Sequence, residues 1–369
     1  MKLGVLTSSR ADYGIYRSLL KRLAVDHRFD LHLIAFGMHL LPSFGKTIRE
    51  IENDSFGKIH VVSGMPSADN RVDIAKGYGE LVKNFGIFWH NELFDFVLVL
   101  GDRWEMSAAV QATIPFEIKL AHIHGGEITL GATDNIFRHQ ITLASKLHFT
   151  ATEAFSQRVS EIIGHSLNVE TVGSLSLEEI DQLELPSWAE VQEKFEIPFD
   201  DFVLTTIHPE SVNAKQNGNF ADVAFEVISH LSNTYNFIIT ASNADIYGSI
   251  YNQKFLNLAE QRPDKVKFVQ SFGGLNYFSA MKNCEFLLGN TSSGIIEAAS
   301  FKKWVINIGD RQKGRLRSAN VFDVSFDKSE ILKEVERIGQ LPKYEGKNQY
   351  FKKGTTSLII NKLLQNEEL

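Results

Sequence analysis

The apolar run Phe286-Leu287-Leu288 leads into Gly289-Asn290-Thr291-Ser292-Ser293-Gly294 and then into Ile295-Ile296-Glu297-Ala298-Ala299. The run reads as a buried strand, the polar cluster as a tight turn, and the last five residues as the start of a helix. Such a turn aims unpaired backbone N–H groups and small hydroxyls at one spot, where the helix dipole favours negative charge. After the next apolar run, Trp304 to Ile308, comes Gly309-Asp310-Arg311-Gln312-Lys313-Gly314-Arg315, a glycine-bounded loop with three cations. Together the two segments predict a pocket for a diphosphate. Taken singly, each also reads as a capped helix or a solvated basic loop. Glu297, expected in the first helical turn, is a poor neighbour for phosphate. It suits a ribose cis-diol beside a diphosphate held by Thr291 and Ser292.

Other chemistry-capable residues cluster behind apolar runs. In Ser8-Ser9-Arg10-Ala11-Asp12, Arg10 can clamp a phosphate with its planar donor fork, or sit on the surface beside an N-cap. No Gly-x-Gly-x-x-Gly and no Walker lysine is present, which excludes the Rossmann dinucleotide and P-loop readings. Asp102 and Arg103 follow Val97-Leu98-Val99-Leu100-Gly101, a position where a carboxylate can have a raised pKa and move protons. In Ala121-His122-Ile123-His124-Gly125-Gly126-Glu127 a continuous strand would point both histidines to one face. A metal would need a third ligand that the spacing does not supply, so acid/base or substrate contact is the preferred reading. Asp134 is expected at a helix N-terminus with Arg138 one turn on. His208-Pro209 ends a further strand, and Ser242-Asn243-Ala244-Asp245 reads as a base or sugar contact or as a plain turn. The ligand these residues describe is a nucleoside diphosphate whose second substituent faces Asp102, His124, Glu127 and Asp134, hence a nucleotide sugar.

Positioning these groups falls to alternating strands and helices. Expected strands are Lys2–Thr7, Phe29–Phe36, Lys58–Val62, Phe96–Leu100, Leu120–Ile123, Lys146–Thr150 and Val169–Val172. Expected helices between them are Tyr13–Ala24, Ile74–Phe88, Trp104–Ala112, Ile136–Ala144 and Glu153–Ile163. Gly173 to Phe199, with two prolines and many charges, reads as a linker carrying a helix or two. Alternation resumes with Phe202–Ile207, Phe237–Thr240, Lys267–Val269, Glu285–Leu288 and Trp304–Ile308, and a helix over Thr355 to Asn366 closes the chain. The fold class is α/β, with two doubly wound parallel-sheet domains, 1–175 and 176–350, facing across a cleft, and 351–369 as a C-terminal helix. Ligands of such sheets bind at the carboxyl ends of strands.

With 369 residues the chain has room for two full cores, and a net charge of −7 offers no general basic surface for nucleic acid. The single cysteine, Cys284, excludes an internal disulfide and fits a reducing cytoplasm. No stretch approaches the roughly 18 apolar residues of a membrane span, and the N-terminus lacks a signal-peptide pattern. A cytoplasmic enzyme is expected, with no nucleic-acid or membrane partner.

Eight segments in order resemble the hydrolysing UDP-N-acetylglucosamine 2-epimerases of bacterial sialic acid biosynthesis. They are Ser9-Arg10-Ala11-Asp12-Tyr13-Gly14, Gly37-Met38-His39, Leu100-Gly101-Asp102-Arg103, His122 to Glu127, Arg138-His139-x-Ile141-Thr142, His208-Pro209, Gly289 to Glu297 and Asn307 to Arg315. The resemblance implies the two-domain fold of many nucleotide-sugar glycosyltransferases (GT-B type), a C-terminal helix returning to the first domain, no metal or nicotinamide cofactor, and a homodimer. It implies loss of UDP from C1 as the C2 proton leaves, then addition of water to the glycal, giving N-acetylmannosamine. With no carbonyl beside C2, C1–O cleavage must run ahead, so stabilising the departing diphosphate is a large term. Arg10, His208, Thr291, Ser292 and Arg311 match UDP-binding positions, and Glu297 the ribose contact. Asp102, Glu127 and Asp134 match carboxylates at the sugar end, with Arg103 and Arg138 orienting them. Asp12, His39, Asn243, Asp245 and Phe272 complete the substrate-binding set. His124 stands where some relatives have a glutamate, which leaves the acceptor of the C2 proton open. Three alternatives stay open too: a 2-epimerase of a UDP-2,4-diacetamido-trideoxyhexose, a glycosyltransferase of the same fold, and a nucleotide-sugar-binding regulator.

Overall fold

A computed structural model describes the chain apart from residues 43–44, 66–70, 131–133, 179, 181–182, 211–212, 243–246 and 367–369, and apart from the side chain at position 71. The chain divides into two units. One comprises Met1–Glu127, Thr133–Glu179 and Tyr350–Leu369; the other Ile128–Ala132 and Ile180–Gln349.

The first unit holds seven parallel strands: β1 (Lys2–Thr7), β2 (Asp30–Phe36), β3 (Lys58–Val62), β4 (Phe96–Leu100), β5 (Leu120–Ile123), β6 (Leu147–Thr150) and β7 (Val169–Thr171), in the order β3-β2-β1-β4-β5-β6-β7. Their near-continuous apolar runs follow from burial on both faces. Because successive side chains alternate, Leu3 and Val5 of β1 and Phe96, Leu98 and Leu100 of β4 join one core. Leu6, Val97 and Val99 join the core on the opposite face. Tyr16, Leu19, Leu20 and Leu23 of the helix Arg10–Val25 cover the first face together with Ile359, Ile360 and Leu363 of the helix Thr355–Gln365. That return is locked at Gly173, where φ is +92° and a Cβ would press on the Lys352 backbone, and by Thr355 Oγ1, which donates to the Val172 carbonyl over 2.7 Å.

The second unit repeats the plan with β8 (Val203–Thr206), β9 (Phe237–Thr240), β10 (Val266–Val269), β11 (Leu287–Gly289), β12 (Val305–Ile308) and β13 (Val321–Val324), ordered β10-β9-β8-β11-β12-β13. Val203, Phe237, Ile239 and Leu288 face one core, and Leu204, Ile238 and Leu287 the other. β13 was not foreseen. Its four residues are partly exposed, carry Asp323, and gain their place only by pairing with β12 and through the 2.7 Å bond from Asn307 Nδ2 to Asp323 Oδ1. The expected linker contains the helix Trp188–Phe195, started by a Ser187/Glu190 capping box.

Strand order reverses between β1 and β4 in one sheet and between β8 and β11 in the other. Diverging connections there leave a crevice at the carboxyl end of each sheet, the position where open α/β sheets take ligands. No described helix is long and apolar enough to cross a membrane.

Two buried strand histidines make stability pH-dependent. Burial lowers His122 to about 3 and His148 to about 4, so both stay neutral in the fold. The unfolded chain takes up these protons below about 6.5, so their contribution is complete above that pH and is lost on acidification toward 4. Urea unfolding should therefore weaken from pH 6.5 to 4.5 by on the order of 1 kcal/mol per pH unit for each histidine. His148→Leu should flatten that slope by about one proton; an unchanged slope would refute the assignment.

Candidate functional site

In the first unit three loops at the carboxyl ends of β1, β4 and β5 carry the expected residues. After β1, Ser9 caps the helix Arg10–Val25 and Asp12 completes a capping box. The buried Asp12 carboxylate accepts from Ser8 N at 2.9 Å, Ser8 Oγ at 2.8 Å and Thr7 Oγ1 at 2.5 Å. His39 is fully buried, with Nε2 2.9 Å from Thr7 Oγ1 and Nδ1 2.8 Å from Thr47 Oγ1. Burial lowers its pKa against the opposing pull of Asp12. Asp12 and His39, expected to touch substrate, thus build the loop itself, while Arg10 stands exposed at the first helical residue.

Behind β4, Arg138 gathers the site. Its side chain, 3 % exposed, pairs through Nη2 with Asp102 Oδ2. Its Nη1 donates to the Glu127 carbonyl at 2.5 Å and to Asn135 Oδ1 at 3.2 Å. Arg103 pairs through Nε with Glu105, a fully buried glutamate in the first turn of the helix Trp104–Gln111. Nothing in the sequence marks Glu105, since a lone glutamate in the first turn of a helix looks like a solvated one. Asp134 opens the helix Asp134–Ala144. Burial first and the Asp102 charge second raise it to about 6, against Arg103 and Arg138.

The β5 loop corrects one expectation. The strand ends at Ile123, and His124 has a left-handed backbone with φ +66°, so the two histidines do not share a strand face. His122 Nε2 meets the Gly101 carbonyl at 3.0 Å, and its Nδ1 lies 3.2 Å from Thr142 Oγ1. The carbonyl can only accept, so Nε2 carries the proton. His124 Nδ1 instead meets Glu127 Oε1 at 2.7 Å. Gly126, with φ +79°, crosses the Phe155 carbonyl where a Cβ could not fit.

In the second unit the residues meet around Asn290, a position whose role the sequence did not single out. Gly289 passes so close to the Thr206 carbonyl that no Cβ fits. Asn290 follows, fully buried. Its Oδ1 accepts from His208 N at 2.7 Å and its Nδ2 donates to His208 O at 2.9 Å. Its carbonyl accepts from Arg311 Nη1 at 3.2 Å and Gln312 Nε2 at 2.9 Å. One side chain and one peptide therefore join the ends of β8, β11 and β12. Gly309 packs on the Glu210 carboxylate, whose Oε1 accepts from Asp310 N at 2.6 Å. Burial, with Arg311 as a second cause, holds His208 near 3 and hence neutral.

The turn after Asn290 differs from expectation. Thr291 is the N-cap, its Oγ1 accepting from Ser293 N at 3.4 Å, and the helix Ser292–Ile296 is over before Glu297. Glu297 thus follows the helix rather than sitting in its first turn, because the threonine cap starts the helix three residues earlier than the apolar pattern implied. Thr291 and Ser292 are half-buried and Glu297 buried. The Phe272 ring is buried in the core, 4.7 Å centroid to centroid from Phe195. Asn243 and Asp245 lie outside the described residues. Among the described residues no three His, Cys, Asp or Glu side chains are placed to hold a metal ion.

Asn290→Ala should cost about 2–4 kcal/mol in urea unfolding, because it strands the His208 N–H and C=O in a buried place. A loss below about 0.5 kcal/mol, within the range of an ordinary surface change, would show that the bracket is not needed.

A family model described as UDP-N-acetylglucosamine 2-epimerase matches residues 21–365. The polysialic acid biosynthesis protein P7 of Escherichia coli is 36 % identical over 356 residues, covering 95 % of this chain and 90 % of the other. A hydrolysing GDP/UDP-N,N'-diacetylbacillosamine 2-epimerase of Campylobacter jejuni is 32 % identical over 323 residues, with 87 % and 84 % covered. In fold, the crystal structure of UDP-GlcNAc 2-epimerase from Neisseria meningitidis bound to UDP-GlcNAc matches with a TM-score of 0.84 at 16 % identity, over 99 % of this chain and 100 % of that one. With two doubly wound sheets of this type and a family match over nearly the whole length, the chain belongs to the UDP-N-acetylglucosamine 2-epimerase family.

Proposed function

We propose that this protein is a hydrolysing 2-epimerase that converts UDP-N-acetylglucosamine and water to N-acetylmannosamine and UDP. The observation that carries the reading is Asp134, whose carboxyl is raised to about 6 by burial and by Asp102. A carboxyl group there exchanges protons near neutral pH, as a reaction at an unactivated C–H requires. In the second unit the diphosphate is assigned to the turn at Thr291 and Ser292, with neutral His208 and Arg311 beside it, and the ribose to Glu297. In the first unit Asp102, His124, Glu127 and Asp134 are assigned to the sugar, with Arg138 paired to Asp102 and Arg103, paired to Glu105, assigned to orient the substrate.

The chemistry sets the roles. Loss of UDP breaks C1–O and sends the electron pair to the diphosphate, so cations and N–H donors around the phosphates lower the barrier. The C2–H pair becomes the C1=C2 bond. Water then adds at C1 while a proton returns to C2 on the opposite face, so net inversion at C2 needs two groups. Asp134, partly protonated at neutral pH, is assigned as the proton donor of the second step.

A second reading has a specific observation behind it: the Campylobacter jejuni relative acts, by its name, on a diacetamido sugar nucleotide. Discrimination is direct. Incubation with UDP-N-acetylglucosamine in D₂O, without added metal, should give UDP and N-acetylmannosamine bearing deuterium at C2 by proton NMR. Turnover of a UDP-2,4-diacetamido-trideoxyhexose alone would move the assignment to that substrate, and epimerised sugar still linked to UDP would remove the hydrolytic step. Asp134→Asn should lower turnover by about 10²–10⁴-fold with UDP affinity nearly unchanged. Because the protonated form acts, kcat should fall as pH rises through about 6; a flat profile across pH 5–7.5 would count against the donor role.

A further inference from the structure

His124 is held in a conformation that its own side chain does not favour. A φ of +66° is uncommon for a residue with a Cβ, and Gly125 and Gly126 follow immediately. Glycine would satisfy the turn at no steric cost, yet histidine occupies it. The backbone is pinned there by the 2.9 Å bond from His124 N to the Phe149 carbonyl. Such strain persists where the surrounding structure holds it in place, and it clusters at working positions.

The ring shows what the strain secures. The imidazole is 11 % exposed, and Nδ1 lies 2.7 Å from Glu127 Oε1. Glu127 is itself buried, and its carbonyl is held by Arg138 Nη1. An ionised carboxylate only accepts, so Nδ1 must carry the proton, and in the neutral ring Nε2 is then left with its lone pair. That atom is buried and has no hydrogen-bond partner among the described residues. A buried acceptor of this kind costs stability unless something fills it. Other groups of the site are committed differently: Asp102 to Arg138, Glu105 to Arg103, and both nitrogens of His122 to Gly101 and Thr142.

We propose that His124 Nε2 is the base that takes the C2 proton, and that Glu127 is a positioning residue that fixes the ring's tautomer and balances the imidazolium formed. The assignment rests on the 2-epimerase reading above. In the step, the C2–H bond breaks and its proton goes to Nε2. Its electron pair forms C1=C2, and the C1–O pair leaves with UDP. Glu127 keeps its charge throughout and faces an imidazolium instead of a neutral ring.

His124→Gly tests this well, because glycine accepts φ +66° and the fold should keep its melting temperature. Turnover of UDP-N-acetylglucosamine should fall by about 10²–10⁴-fold, with UDP affinity within about threefold of wild type, and added imidazole should restore at least about tenfold of the loss. Glu127→Gln, which can still accept from Nδ1, should lose less than His124→Gly. A His124→Gly enzyme within about tenfold of wild type would overturn the proposal, as would a slow one that imidazole leaves slow. A Glu127→Gln loss exceeding that of His124→Gly would move the base to Glu127. Wild-type protein that releases UDP from neither sugar nucleotide would instead overturn the 2-epimerase reading and this assignment with it.

Discussion

A buried guanidinium has to be paid for by partners, and the first unit is arranged around that requirement at Arg138. Removing an ion from water costs several kcal/mol even after relaxation, so every N–H face of such a group needs an acceptor of good geometry. Asp102, the Glu127 carbonyl and Asn135 meet that demand at Nη1 and Nη2, while Nε has no hydrogen-bond partner among the described residues. They come from the ends of β4 and β5 and from the helix Asp134–Ala144, so satisfying one charge ties three segments together. Asp134 is pushed upward first by its burial and then by the Asp102 charge, which outweigh the opposing pull of Arg103 and Arg138.

The second unit solves the same architectural problem without a charge. Asn290 offers both a donor and an acceptor on one short side chain, and brackets the peptide of His208 with them. Its carbonyl collects Arg311 and Gln312. The hub is neutral, and it holds Arg311 through a backbone carbonyl rather than through a carboxylate. One unit therefore gathers its loops around a guanidinium, and the other around a neutral amide.

Both arrangements depend on strand order. Where the order reverses, neighbouring connections leave on opposite faces, which opens the space between the loops after β1 and β4, and between those after β8 and β11. Glycine at position 289 lets β11 end against the Thr206 carbonyl, which brings Asn290 within reach of His208.

Strand positions were legible in the sequence because burial on both faces forces uninterrupted Val, Ile and Leu runs. Phe96–Leu100 and Phe237–Thr240 stand where the runs placed them. β13 was not legible, since a short, half-exposed edge strand carries no such run. Sequence also named the chemical types that gather behind the strands, because loops there need few apolar residues and can carry acids, histidines and glycines. What it could not decide is how each is used. Asp12 and His39 turned inward to build their loop, His124 left the strand for a left-handed turn, and Glu297 fell beyond its helix. Hydrogen-bond partners 20 to 82 residues apart in the chain settle such matters, as between His122 and Thr142 or His208 and Asn290. Local periodicity reports only which face of an element is buried; the partner of a polar group is fixed by the three-dimensional path of segments that the sequence keeps far apart.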